Sequence, residues 1–438
     1  MRASLPRRRA LGYGVAEVGA SLSYNAINFF LLFFLVETAG LRPGLAGGVL
    51  LAGRALDAFV DPVMGRFSDR FKARRGRRSP LIFWGAVPFG ASFALLWLLP
   101  DAPQGALFAL ATGLLVLHAC IFTLVQTSYL ALTPELAPDY AARTVLSGYR
   151  VVFATVASLL AAAAPPLLAA RVNGLAGLPA SARLGWGVMG ILFGIIMSAS
   201  YLVMVRTAHE PLRVSIQPTG NFWQEARTVL RARGFLPLLL VFVTATLALG
   251  TLSSILPFFL ASYLRLEVGL QTTLLALLFV TAALSVPLWT RLSRWWGKRA
   301  AFATGLVTLA ASLPVLAFGS PPGAVSALLV VVTMLVGAGV GTVLLFPWAL
   351  LPDVIELDAK TTGAPREGLF YALFTLFQTA AFALSAALSG GVLELNRYDA
   401  DALTQAAETV AGMQWLVGGA AAGLCLLALA PLSRYPLR

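Results

Sequence analysis

Three ionisable residues stand where hydrocarbon is expected. The apolar run from Pro43 to Phe67 carries Arg54, Asp57 and Asp61, at spacings of i, i+3 and i+7. On an α-helix those spacings put all three on one face. Each ionised side chain at mid-bilayer costs about 2.5 to 3.5 kcal/mol, so three uncompensated ones would cost roughly 7 to 10 kcal/mol. Pairing Arg54 with Asp57 would neutralise two of them and pin the helix to a neighbour. Asp61 would then remain a second carboxylate one turn away, which requires a cation or a proton. The chemistry this pattern predicts is reversible binding of Na⁺ or H⁺ between Asp57 and Asp61.

The elements around them follow from composition. Of 438 residues, 58% are hydrophobic and 12% charged, too little charge to cover a soluble protein of this size. Apolar runs bounded by charges or turn residues give twelve spans, at 11–38, 44–66, 80–99, 105–131, 145–170, 184–206, 234–262, 268–291, 300–318, 324–351, 368–394 and 408–432. Unbroken runs of this length exclude a β-barrel. The first run follows Arg7, Arg8 and Arg9 but is longer than a signal-peptide core, so it stands as a span. With a cytoplasmic N-terminus, 25 of the 32 Lys and Arg residues fall in cytoplasmic segments and five on the opposite side. Both termini are therefore expected inside. The net charge of +13 is scattered through short loops, which excludes a nucleic-acid face. Cys120 and Cys425 both sit in apolar runs and read as packing residues.

The connection 207–233 divides the spans six and six, giving an N-terminal bundle over 1–206 and a C-terminal bundle over 234–438. A weak internal repeat supports this division: DPVMGRFSDR at 61–70 aligns with VPLWTRLSRW at 286–295, displaced by 225 residues. The same displacement carries Asp57 and Asp61 onto Ala282 and Val286, so the acids are not needed merely to fold such a half. Two related halves form the architecture of alternating-access transporters, with a substrate cavity at the midplane. The expected fold class is an all-α membrane protein of twelve helices in two pseudo-symmetric six-helix bundles.

The stretch DAFVDPVMG at 57–65, followed by SDRFKARRGRRSP at 68–80, resembles the span-two signature of the glycoside-pentoside-hexuronide cation symporters, the melibiose-permease branch of the major facilitator superfamily. PWALLPDVIELDAKTTGAPREGLFYALFTLFQ at 347–378 is similar to that family's loop between spans ten and eleven. The resemblance implies a cation site at Asp57 and Asp61, accompanied by Arg54, with Thr123 in span four placed beside it. It implies that Arg150 binds sugar and that Arg143, Asp353 and Arg366 close the cytoplasmic side by ion pairs. The family's span-one acid falls on Ser21, with Glu17 one turn earlier on a face shared with Tyr24, Asn25 and Asn28. Its span-four acid falls on Leu124, near Gln126, and its span-eleven lysine on Gln378. Glu17, Asn25, Gln126, Arg150, Trp348, Tyr371 and Gln378 are the resulting substrate-binding candidates, Trp348 by stacking on the apolar face of a sugar.

The expected activity is Na⁺- or H⁺-coupled symport of a sugar or glycoside by a functional monomer in a bacterial cytoplasmic membrane, without a cofactor. The alternative substrate is a lysophospholipid or other amphiphile, because animal relatives with similar signatures carry lipids and two sugar-binding acids are missing here. An intramembrane enzyme is the competing class. It would require a nucleophile beside a base, and His118, two residues from Cys120, reads as a packing residue instead. No Walker-type phosphate loop is present. Trp84, Trp97 and Trp223 near span ends read as interface anchors.

Overall fold

The structure is a computed structural model that describes residues 6–70, 78–130, 132–136, 140–179, 182–207, 227–232, 234–323, 325–362, 367–402 and 404–435; the side chains of 57–70, 134–135 and 140–144 are not among those described. Contacts divide the chain into two compact units, Met1–Gln217 and Pro218–Arg438. The first contains six long helices: α1 (Arg7–Ala26, prolonged by π-turns at Ile27–Leu31 and Phe34–Thr38), α2 (Pro43–Arg70), α3 (Ser79–Leu96), α4 (Gln104–Leu130), α5 (Tyr140–Leu175) and α6 (Arg183–Thr207). The second contains α7 (Phe235–Phe258, prolonged by a π-turn at Phe259–Tyr263), α8 (Val268–Trp296), α9 (Lys298–Gly319), α10 (Ala327–Thr362), α11 (Glu367–Leu395) and α12 (Ala407–Ser433, with a π-turn at Trp415–Ala421). Ten of these are long and apolar enough to cross a bilayer among the described residues, and Pro43–Leu56 is a shorter apolar helix.

The helices outrun the expected spans where charge, not helix propensity, ends the apolar run. Hydropathy bounds span ten at 351, yet α10 continues three turns through Asp353, Glu356, Asp358 and Lys360 to Thr362. A charged turn ends insertion into hydrocarbon without ending the backbone hydrogen bonds, and the Lys360–Glu356 pair at 2.6 Å supports that exposed extension. In α5, Pro165 and Pro166 lie inside the helix, a pattern tolerated where neighbouring helices and local adjustment re-satisfy the freed carbonyls.

The two units repeat one packing scheme. In the first, α1 packs on α5 and α6, α2 on α4, and α3 on α4 and α6; in the second, α7 packs on α11 and α12, α8 on α10, and α9 on α10 and α12. The corner after the first helix of each unit repeats the 225-residue displacement closely. Ala39 N donates to Phe34 O (2.9 Å) and Leu41 N to Leu35 O (2.8 Å); Leu264 N donates to Phe259 O (2.9 Å) and Leu266 N to Leu260 O (3.1 Å). Both corners need a left-handed residue, supplied by Gly40 (φ 75°) in one and Arg265 (φ 50°) in the other. The next helices begin at Pro43 and Val268, again 225 apart.

Close approach of α3 and α6 rests on Gly90 and Gly194, whose backbones lie so near that a Cβ on either would run into the other's carbonyl. Small residues let membrane helices pack backbone to backbone where lipid offers no hydrophobic drive for association. Gly90→Leu is expected to destabilise the protein by about 1 to 3 kcal/mol through overpacking. Gly113→Ala, where an added Cβ meets open space, should leave thermal unfolding in detergent unchanged or raised. Equal midpoints for the two variants would contradict this account of the crossing.

Trp97 departs from its expected role. It is fully buried and stacks on Trp186 (centroids 5.5 Å, 10°) beside Phe34 and Phe93. Its position near a helix end suggested the interface, but its ring turns inward. Trp84, 73% exposed, fits the anchor role, and Trp223 lies outside the described residues.

Candidate functional site

Helix α1 carries one polar residue per turn along a face that meets α5 and α6. Glu17 Oε2 accepts from Arg150 Nε of α5 at 2.8 Å, with side-chain exposures of 13% and 27%. Tyrosines enclose this pair. The Arg150 guanidinium lies 5.6 Å from the centroid of the Tyr129 ring, which stacks on Tyr13 at 4.6 Å. Tyr129 OH donates to Tyr13 O (3.1 Å), and Tyr13 OH pairs with Thr133 Oγ1. Tyr201 OH of α6 donates to Gln126 Oε1 at 2.6 Å, and its ring meets Tyr129 edge-on. Four helices thus converge on one carboxylate, one guanidinium, three phenols and an amide. The three tyrosines are fully buried with their hydroxyls engaged inside the cluster, so it is the partly exposed Glu17 and Arg150, held in place by them, that can accept from and donate to a polyhydroxylated ligand.

A second polar cluster lies further along α1. Arg54 Nη2 of α2 donates to Asn28 Oδ1 (3.3 Å), and its guanidinium sits 5.4 Å from the Tyr24 ring centroid. His118 of α4 is 3% exposed and held at both ring nitrogens, by Ser23 Oγ (2.7 Å) and Ser92 Oγ (3.0 Å). It stacks on Phe89 at 5.3 Å. Fixed in this way it packs helices, as its sequence context suggested. Ser23, Tyr24, Gly53, Arg54 and His118 border a space of ≈ 20 Å³, enough for one water-sized occupant.

Asp57 and Asp61 follow in the same helix, α2, one and two turns beyond Arg54; their side chains lie outside the described residues. Backbone register nevertheless locates their level. Gly48 faces Phe108 and Gly53 faces Leu115, so α2 and α4 run parallel with a displacement of about 60 to 62 residues. Continued along both helices, this offset brings Asp61 to about the level of Thr123, which is 6% exposed and whose carbonyl accepts from Thr127 Oγ1 at 2.7 Å. Asn25 is committed otherwise: its Nδ2 donates to Ser158 Oγ (2.9 Å) and Ser21 O (2.8 Å), tying α1 to α5.

In the second unit the stacking candidates meet. Trp348 of α10 and Tyr371 of α11 lie nearly parallel, with centroids 6.3 Å apart at 12°. Behind them Phe242 and Phe374 stack at 3.9 Å, and both meet the Trp348 ring edge-on. Gln378 is half-buried, two turns from Tyr371 on the same face of α11. Trp348→Ala should raise the half-saturation for substrate about 2- to 12-fold, the equivalent of one aromatic contact of roughly 0.5 to 1.5 kcal/mol, with Trp348→Phe intermediate. Uptake saturation curves decide this, and an unchanged half-saturation in Trp348→Ala would remove the ring from the site.

Of the gate candidates, Asp353 bonds through both carboxylate oxygens to Lys298 Nζ of α9 at 2.8 and 2.6 Å, so its described ionic partner belongs to its own unit. The Arg143 side chain and all of Arg366 lie outside the described residues. Sequence reasoning missed Tyr13, Tyr129 and Tyr201 as the wall of the Glu17–Arg150 pair. A usable signal was present: Tyr13 lies one turn before Glu17, and Tyr129 one turn after Gln126.

The MFS/sugar transport protein family matches residues 12–438. The chain belongs to this family. It is therefore an integral, multi-pass membrane transporter with the major facilitator fold. An uncharacterized symporter of Synechocystis is 28% identical, over 89% of this chain and 85% of its own length. The sodium-dependent lysophosphatidylcholine symporter 1-A of Danio rerio is 24% identical, over 98% of this chain and 87% of its own. A protein of Escherichia coli named for glycoside/cation symport is 24% identical, over 93% of this chain and 86% of its own.

Proposed function

We propose that the protein couples entry of Na⁺ or H⁺ to uptake of a sugar or glycoside by alternating access, in a bacterial cytoplasmic membrane with both termini inside. The observation that carries the substrate class is the partly exposed Glu17–Arg150 pair, an acceptor and a multiple donor held in place by a buried cluster of three phenols and Gln126 from four helices, since a sugar needs donors and acceptors at once. The Trp348–Tyr371 pair supplies the flat apolar surfaces that a pyranose ring stacks on. Asp57, Asp61 and Thr123 hold the cation, supported by the shared level of Asp61 and Thr123. Arg54, anchored on Asn28 and Tyr24, is the fixed countercharge. An ion arriving there cancels the surplus negative charge and raises substrate affinity, and substrate raises ion affinity by the same factor. Arg143, Asp353 and Arg366 serve the cytoplasmic closure; exposed bridges of this kind contribute at most about 1 kcal/mol each, so the closure reverses readily.

A lysophospholipid is the second reading, favoured by similarity to the Danio rerio symporter over 98% of this chain. The replacement of two carboxylates by Ser21 and Leu124 fits it as well. Purified protein in proteoliposomes, supplied with Na⁺ or pH gradients and a panel of sugars, glycosides and a lysophosphatidylcholine, separates the two. Gradient-driven accumulation of a sugar supports the first reading, and accumulation of the lysolipid alone replaces it with the second.

A further inference from the structure

The second unit has a further concavity at the end where α8 stops, α9 starts and α12 stops, on the level where Lys298 donates to Ala349 O, next to Trp348, at 3.1 Å. There a cleft of ≈ 530 Å³ is bordered by Trp296, Arg299, Ala300, Ala303, Val307 and Leu429. Ala300, Ala303 and Val307 follow the i, i+3, i+7 spacing, so they make one apolar strip on α9, about 10 Å long at 1.5 Å per residue. The small side chains of Ala300 and Ala303 leave the trough, and Val307 (47% exposed) and Leu427 (56% exposed) show that these helices present apolar surface outward here. Because α9 and α12 are membrane-crossing helices, what meets that surface is hydrocarbon.

The mouth of the trough is basic and aromatic. Arg299 holds Ser433 O (2.6 Å) and Tyr435 O (3.3 Å), which fixes its guanidinium at the rim while committing two of its five N–H donors among the described residues. Arg291, Arg294 and Arg434 are exposed at the same end, and Arg291 lies 5.3 Å from the Trp295 ring. Trp295 and Trp296 are 69% and 56% exposed, as indoles at a headgroup boundary are. Of the acids described at this end, Asp353 is paired with Lys298 and Glu356 with Lys360, and Asp358 is buried. An apolar trough floored by small side chains, opening on arginines that have no ion-pair partner among the described residues, is complementary to an anionic phospholipid.

We infer that this cleft binds one anionic phospholipid, with its phosphate at Arg299 beside the first turn of α9 and one acyl chain along Ala300, Ala303 and Val307. Its lining shares no residue with the transport candidates, although Lys298, next to Arg299, holds Asp353; the inference does not depend on what is transported.

The test uses the full chain in liposomes and the quenching of Trp296 by brominated lipids, read as wild type minus Trp296→Phe. Brominated phosphatidylglycerol should reach half-quenching at a mole fraction about fivefold lower than brominated phosphatidylcholine, the preference expected of roughly one engaged arginine. Arg299→Gln should bring the two curves together. Ala303→Phe, which fills the trough without changing charge, should weaken quenching by both lipids and keeps the test decisive if Arg299→Gln does not fold. Equal curves in wild type, or a preference that survives Ala303→Phe, overturns the site. Soluble glycerol 3-phosphate should leave quenching by the brominated anionic lipid unchanged; displacement would assign the arginines to a free phosphate and overturn the lipid.

Discussion

Asp61→Asn is expected to reduce gradient-driven accumulation to equilibration, with an internal-to-external substrate ratio of about 1, while downhill exchange continues. Asparagine keeps the size and one oxygen of aspartate but carries no charge for an ion to cancel. The gain in substrate affinity that the ion confers should vanish with it, a loss of about 5- to 150-fold for a coupling of roughly 1 to 3 kcal/mol. Asp57→Asn should behave alike, and the gradient that drives wild type identifies the ion. Undiminished accumulation by both variants in the same proteoliposomes would remove the carboxylates from the coupling mechanism.

The second large effect concerns the Glu17–Arg150 pair. Arg150→Gln strands a carboxylate that is 13% exposed. Removing one partner of a fully enclosed pair costs about 3 to 5 kcal/mol; with Arg150 27% exposed, roughly 2 kcal/mol is expected, together with loss of uptake. The double variant Glu17→Gln, Arg150→Gln removes both charges and should recover most of the thermal stability without recovering uptake. Recovery of both would mean that the pair only packs α1 against α5, and that the sugar is read elsewhere.

What was legible in the sequence divides along physical lines. Apolar run length located the helices because the bilayer itself sets that length. Their ends were harder to read, as α10 shows, since hydropathy marks where hydrocarbon stops rather than where a helix does. The unusual charges of α2 stood out because each is costly in lipid. The phenols around Arg150 did not, because tyrosine in a membrane helix is unremarkable until the packing of α1, α4, α5 and α6 shows which face it occupies. Asn25 illustrates the converse: a polar side chain on the right face of α1 is spent on holding Ser158. Likewise the Lys298–Asp353 pair is not legible from spacing, since its two residues lie on different helices 55 positions apart.

The corners at 34–43 and 259–268 are one joint made twice from different materials. Main-chain bonds and a single left-handed residue close it, and the chain tolerates glycine in one copy and arginine in the other. A hinge so indifferent to side chains leaves its flanking helices free to diverge without losing their course. That freedom lets a symmetric frame carry lopsided chemistry, with acids at 57 and 61 answered in the twin by alanine and valine.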